Sequence, residues 1–218
     1  RIAEIRSGER VLEPSAGIGG LAAFAKNAGA KLILNELSSR RAAVLREVFP
    51  AATVFTENAE QIDNILPANL VPSVVVMNPP FSATAGRIHG KRDTQVGAQH
   101  VEQGLKRLAD GGRLVAIVGE GMNLDRPAFA DWWKNIRAKY DVRAVIPMDG
   151  SGYAKYGTTF DNAILVIDKV KPSGRPIVTT PAKNYSELIG SLAEIRNDRP
   201  ESLSPSHESD GLELDAAE

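Results

Sequence analysis

With 218 residues, 43% of them hydrophobic, the chain can bury one sizeable core and has little room for a second full domain. No apolar run approaches the length of a membrane span and residues 1–10 carry no signal-peptide pattern, so a cytoplasmic protein is expected. Cysteine is absent, which excludes disulfides and thiolate zinc sites, and His89, His100 and His207 are too scattered in sequence to form a metal cluster. The net charge of −1 hides an asymmetry: 22 basic and 18 acidic residues lie before Pro172, against 4 and 9 from there on. A mildly basic body is compatible with a nucleic-acid partner without requiring one. The first residue is Arg1 rather than methionine, which reads as a domain excised from a longer polypeptide.

In chain order, short β-rich runs alternate with helical patterns. Strands are predicted at residues 10–13, 31–34, 53–55 and 74–77, with helices at 21–27 and 39–48 between the first three. A helix over 94–109, a strand at 113–118, a helix over 127–139 and strands at 142–146 and 163–167 follow. Such alternation predicts an α/β fold with a mainly parallel sheet covered on both faces. The last two strands are close enough to pair antiparallel across residues 147–162. From Pro172 to Glu218 the composition turns to proline, serine and acid, which reads as a linker or partly disordered tail with one possible helix at 185–196.

Three segments carry chemistry. The turn after the first strand, Glu13, Pro14, Ser15, Ala16, Gly17, Ile18, Gly19 and Gly20, leads into a helix. Glycines there open backbone angles closed to other residues and let a ligand approach the main chain. A nucleoside cofactor, another ligand and a purely structural turn all fit. Glu36, followed by Leu37, ends the next strand, where a carboxylate can accept both hydroxyls of a ribose; a solvated surface acid is the alternative. Asn58 and Ala59 follow the third strand, and the Asn58 side chain either receives an adenine amine or caps the next helix.

The strongest signal is Asn78, Pro79, Pro80, Phe81 directly after the apolar run 74–77. Two prolines stiffen the loop and donate no backbone hydrogen bond, so the Asn78 side-chain oxygen and the Pro79 carbonyl can both accept from one NH2 group. That suits a conjugated amine, whose lone pair becomes available for attack as the nitrogen pyramidalises. Phe81 offers a flat face for stacking a base turned out of its strand. The alternative is a stiff turn with a core phenylalanine. The loop at 82–95 holds Arg87, Lys91 and Arg92 together with Gly86 and Gly90, a stretch suited to phosphate contacts or to a solvated flexible loop.

Residues 13–20 resemble motif I, and Asn78 to Phe81 the NPP(Y/F) motif IV, of S-adenosylmethionine-dependent N6-adenine methyltransferases, in the gamma-type order. The resemblance extends through Asp110, Gly111, Gly112 and Arg113 to about Asp168. It implies a Rossmann-like class I methyltransferase domain over residues 1–171, with seven strands ending in an antiparallel hairpin, and S-adenosylmethionine as cofactor. It implies that Glu13, Pro14, Ala16, Gly17 and Gly19 surround the methionine portion, Glu36 and Leu37 the ribose, and Asn58 and Ala59 the adenine; Asn78, Pro79, Pro80 and Phe81 would be catalytic. Many relatives have aspartate where Asn58 stands. Tyr153, Ala154, Lys155, Tyr156, Gly157, Thr158 and Thr159 resemble the methyltransferase domain of strawberry-notch-like helicases and phage or plasmid antirestriction proteins, which implies DNA and a helicase as partners. Ribosomal RNA and protein-glutamine methyltransferases share much of the pattern, and a scaffold domain that binds the cofactor without turnover is a further alternative.

Overall fold

The computed structural model describes residues 1–80, 87–88, 91–92, 95–149 and 161–201. Nine strands and seven α-helices are present among them. The strands are β1 (Arg10–Glu13), β2 (Lys31–Asn35), β3 (Thr53–Phe55), β4 (Val74–Met77), β5 (Arg87–Ile88), β6 (Lys91–Arg92), β7 (Arg113–Gly119), β8 (Asp141–Met148) and β9 (Asn162–Asp168). The helices are α1 (Gly20–Asn27), α2 (Ser39–Val48), α3 (Ile62–Ile65), α4 (Val96–Arg107), α5 (Ala130–Lys139), α6 (Tyr185–Ser191) and α7 (Ala193–Arg196).

Seven strands form one sheet in the order β3-β2-β1-β4-β7-β9-β8. The first five pair in parallel, and β9 runs antiparallel between β7 and β8, so the expected terminal hairpin is present. Each parallel strand is short and apolar because both of its faces are covered. Along β1, Leu12 joins Ile33, Val75, Met77, Leu105, Leu114 and Trp133 in one core, and Val11 joins Leu32, Leu34, Leu45, Phe49 and Val74 in another on the opposite face. Successive side chains of a strand point to opposite faces, which is why one four-residue strand feeds two cores.

Two predicted helices are divided. Residues 127–139 begin as a 3-10 turn, Pro127–Phe129, before α5, because Pro127 starts the turn without a donor to lose. Residues 185–196 split at Leu192, just after Gly190 and Ser191, both poor helix formers. β8 extends through Pro147, which pairs opposite Ala163, and proline is tolerated because β8 ends the sheet order.

The segment after Lys171, which composition reads as a linker, packs against the sheet at intervals as far as Arg199. Val178 and Ala182 bridge in parallel to Ala144 and Met148, covering the edge of β8. Leu188, Leu192 and Ile195 then close a third core with Ala144, Ile146, Ile164 and Val166. Where β7 begins and β9 ends, Arg113 and Asp168, both at 0% exposure, pair through two bonds of 2.7 and 2.9 Å. Arg113 also donates to the Ile195 carbonyl at 2.8 Å, while Arg143 pairs with Asp198 at 2.7 Å. Residues 202–218 lie outside the described residues. No helix of the described residues is long and apolar enough to cross a membrane.

Candidate active site

The sheet order reverses between β1 and β4: from β1 the chain winds outward to β2 and β3, and from β4 it winds the other way to β7. Loops leaving such neighbours part at their carboxyl ends and leave a crevice, the usual ligand position in open α/β sheets. Of the predicted site residues that are described, Glu13 closes β1, Pro14, Ala16, Gly17, Gly19, Glu36, Leu37, Asn58, Asn78, Pro79 and Pro80 follow the strands of this edge, Ala59 opens a 3-10 turn, and Arg87, Lys91 and Arg92 belong to β5 and β6.

On the β1 side, Gly17 and Gly19 have φ of 59° and 92°, values that disfavour side chains. Their surroundings differ. A Cβ on Gly17 would meet nothing within 4 Å, whereas one on Gly19 would lie 2.3 Å from the Phe49 ring. Gly17 therefore presents open backbone to the crevice, while Gly19 is demanded by core packing. Ala16 and Pro14 are buried, and the Ala16 amide donates to the Asn35 carbonyl at 2.8 Å.

Glu36 is brought to this turn by β2. Its Oε2 accepts from the Gly17 amide at 2.9 Å, and its Oε1 accepts from the Ser38 amide at 2.8 Å and from the Arg41 guanidinium at 2.6 Å. Arg41 is 54% exposed and free to exchange partners with a ligand. Asn35, which the sequence reading passed over, holds the edge together: Nδ2 donates to the Pro14 and Glu57 carbonyls, and Oδ1 accepts from the Glu57 amide, each at 2.9 Å. One buried amide thus ties the loops after β1, β2 and β3. The available signal was a polar residue closing an apolar strand.

Asn58 is exposed and its Oδ1 accepts from the Glu60 amide at 3.0 Å, so it caps the 3-10 turn Ala59–Gln61, in line with the capping alternative. Ala59 is buried beside it. Ile18 and Leu37, in contrast, are 69% and 67% exposed, two apolar side chains standing next to Gly17 and Glu36.

Glu13 is the electrostatic anomaly. It is 3% exposed, accepts a bond from the Ala22 amide at the start of α1, and its Oε2 has no partner among the described residues. Burial pushes its carboxyl up to about 8, so it is largely protonated at neutral pH. A buried carboxylate with spare acceptor capacity in a crevice marks a place where a cationic group fits.

On the β4 side the strand ends at Met77, Asn78 and Pro80 are exposed, and Pro79 is buried. Phe81 and residues 153–159 lie outside the described residues. Arg87–Ile88 and Lys91–Arg92 pair antiparallel as a short hairpin, with Arg87 opposite Arg92. A cavity of about 480 Å³ lies between Pro79 and Pro80 on one side and Gly119, Glu120, Gly121, Met122 and Phe129 on the other. The Trp133 indole donates to the Met122 carbonyl at 2.8 Å and braces that wall from the core; Trp132, partly buried, donates instead to Glu102 at 2.7 Å. Glu120 and Arg126, unmarked by any sequence motif, form an ion pair in this cavity. Among the described residues, no group of three or more His, Cys, Asp or Glu side chains is placed to share a metal ion.

No protein-family model and no curated protein matches the chain. Solved structures do. A type I restriction-modification system methyltransferase subunit from Streptococcus thermophilus aligns with TM-score 0.69 and 13% identity over 88% of this chain and 49% of its own. A protein from Listeria monocytogenes, described as a class I S-adenosylmethionine-dependent methyltransferase, aligns with TM-score 0.66 and 17% identity over 88% and 65%. An rRNA methylase from Streptococcus thermophilus aligns with TM-score 0.53 and 12% identity over 78% and 92%. The chain spans about half the length of the restriction-modification subunit. At such identities the likeness is one of fold: the chain has the Rossmann-like, seven-stranded architecture of class I methyltransferases.

Proposed function

We propose that the chain binds S-adenosylmethionine at the crevice and transfers its methyl group to the N6 amine of adenine in DNA. The observation that carries this reading is the position of Asn78, Pro79 and Pro80 at the carboxyl end of β4, next to the glycine turn after β1. The residues present fit the cofactor. Glu13 has an unpartnered buried oxygen for its ammonium, Gly17 has an open face, Glu36 offers a fixed carboxylate for ribose hydroxyls, and Ile18 and Leu37 offer apolar surface for a base. Asn58 and Ala59 lie at the far side of the same edge. The cofactor, when bound, supplies an electrophilic methyl group.

The chain's own work is then positioning. The Asn78 side-chain oxygen and the Pro79 carbonyl accept the two amine hydrogens, Pro80 keeps the loop stiff, and Phe81 stacks on the acceptor. Acceptors held in place strengthen as the nitrogen becomes cationic, and the proton leaves after the methyl has arrived, so no strong base is needed. Arg87, Lys91 and Arg92, gathered on the β5–β6 hairpin, contact phosphates. The likeness of residues 153–159 to helicase-linked methyltransferase domains supports a place within a longer, cytoplasmic DNA-processing polypeptide. The rRNA methylase, whose length the alignment almost fully spans, favours RNA as the second candidate acceptor.

The test is transfer of radiolabelled methyl from S-adenosylmethionine to unmethylated DNA, RNA and protein in parallel. Label is expected in DNA as N6-methyladenine, reduced at least ~100-fold in Asn78→Ala while S-adenosylhomocysteine binding is kept. Label confined to RNA or to protein glutamine would reassign the acceptor, and cofactor binding without any transfer would leave a scaffold domain. Lys91→Ala with Arg92→Ala is expected to flatten the salt dependence of DNA binding; an unchanged slope removes the hairpin from the interface.

A further inference from the structure

The cavity beside Pro79 and Pro80 is lined mainly by uncharged residues, with Gly97, Val118, Gly121, Met122 and Phe129 among them. Glu120 and Arg126 stand out. They pair side chain to side chain, yet they stay 38% and 46% exposed. An exposed pair of this kind contributes about 0–1 kcal/mol to folding, so stability does not account for its position.

The backbone carrying the two residues is tightly held. The Glu120 amide donates to the Asp161 carbonyl at 3.1 Å, Asn123 to Glu120 at 3.0 Å, Arg126 to Asn123 at 3.1 Å and Phe129 to Arg126 at 3.0 Å. Only the side chains are left to exchange partners. Arg126 also has the Asp125 carboxylate at 4.0 Å, so two acids face one guanidinium. A guanidinium presents a planar fork of donors that fits a phosphate as well as a carboxylate.

Resting on the reading of this cavity as the acceptor pocket, we propose that Arg126 is a phosphate-binding residue for the acceptor nucleotide and that Glu120 occupies it until the nucleic-acid backbone takes its place. A base and its phosphate are separated by one sugar, so a base seated against Pro79 and Pro80 leaves its phosphodiester at the cavity mouth. Arg126 then exchanges a carboxylate for a phosphate oxygen, and Glu120 turns to solvent. The two acids make this exchange selective: backbone that passes without inserting a base meets their repulsion with nothing to offset it. A glutamine side chain has no phosphate to offer, so the arrangement favours nucleic acid over protein as acceptor.

The test uses the 218-residue chain, a fluorescent single-stranded oligonucleotide containing adenine, and anisotropy titrations across a range of salt. Arg126→Ala is expected to weaken binding about five- to tenfold and lower the slope of log K against log salt by about 1. Glu120→Gln is expected to tighten binding about twofold or more. A merely structural ion pair would move both variants in the same direction, together with their thermal stability. That result, an unchanged slope in Arg126→Ala, or no oligonucleotide binding by the wild type overturns the proposal. S-adenosylhomocysteine binding, measured by calorimetry on the same preparations, separates the two readings. Cofactor binding with the wrong signs on DNA removes the phosphate role alone. The expected signs on DNA without cofactor binding support Arg126 and remove the methyl-transfer reading.

Discussion

Where β7 begins and its antiparallel neighbour β9 ends, Arg113 and Asp168 are wholly buried and satisfy each other through two hydrogen bonds, with the Ile195 carbonyl taking a third donor. At the carboxyl end of β1, Glu13 is buried almost as deeply, yet one of its oxygens has no partner among the described residues. The same sheet therefore finishes one end by itself and leaves the other incomplete. A buried polar oxygen left without a hydrogen bond costs about 1–3 kcal/mol even when its carboxyl is neutral, so folding alone does not favour the incomplete end. The paired end anchors the segment through Ile195 and Asp198; the unpaired end is where the proposed cofactor would bind.

The contrast can be broken most severely at the paired end. Asp168→Ala leaves Arg113 buried without its partner and is expected to cost about 3–5 kcal/mol, a drop of roughly 10 °C in Tm. Thermal unfolding reads this directly, and a drop of only a degree or two would mean that the two ends do not differ as described.

Glu13→Gln sharpens the contrast from the other side. The Glu13 carboxyl is raised to about 8 in the folded protein from an unfolded value of 4.5. The folded state therefore binds its proton more tightly, and the stability that goes with that proton is full below pH 4.5 and lost as pH rises through about 8. Glu13→Gln has no proton to lose, so it should match the wild type near pH 4 and exceed it near pH 9 by a few kcal/mol. Equal differences at both pH values would refute the assignment. Under the proposed function, wild-type affinity for S-adenosylhomocysteine should also fall by up to about tenfold per pH unit below pH 8, and Glu13→Gln should flatten that profile.

The smallest effects separate the two glycines. Gly19→Ala forces a Cβ to 2.3 Å from the Phe49 ring at a φ of 92° and should cost about 2–3 kcal/mol. Gly17→Ala, with open space around it, should cost about 1 kcal/mol in stability and show its main effect in weakened cofactor binding. Chemical denaturation and calorimetry on both variants give the comparison, and the reverse order of stabilities would contradict it.

Much of this was readable in the sequence because the relevant physics is local. Buried parallel strands must be short apolar runs, so β1 to β4 could be found from runs such as Val74–Met77, and a glycine turn or a double proline can end a strand in only a few ways. Glu36 was legible for the same reason, as a carboxylate just past an apolar strand. Gly19 was read as a ligand position, and its Phe49 neighbour, thirty residues away, gives it a packing reason that no local pattern carries.

Tertiary structure alone decided the rest. The role of Asn35 depends on three loops meeting, and the Glu120–Arg126 pair acquires meaning only from the cavity beside Pro79 and Pro80. Residues 172–201 look like a linker because their apolar side chains are sparse, but Val178, Ala182, Leu188, Leu192 and Ile195 are spaced to cover β8 and close a core. The sequence by itself determined the seven strands of the main sheet, though not β5 and β6, along with the turn chemistry and the carboxylate just past β2, since each follows from the conformational limits of neighbouring residues. Which buried polar groups are paired and which are not was settled only by folding, because pairing depends on distances between elements far apart in the chain.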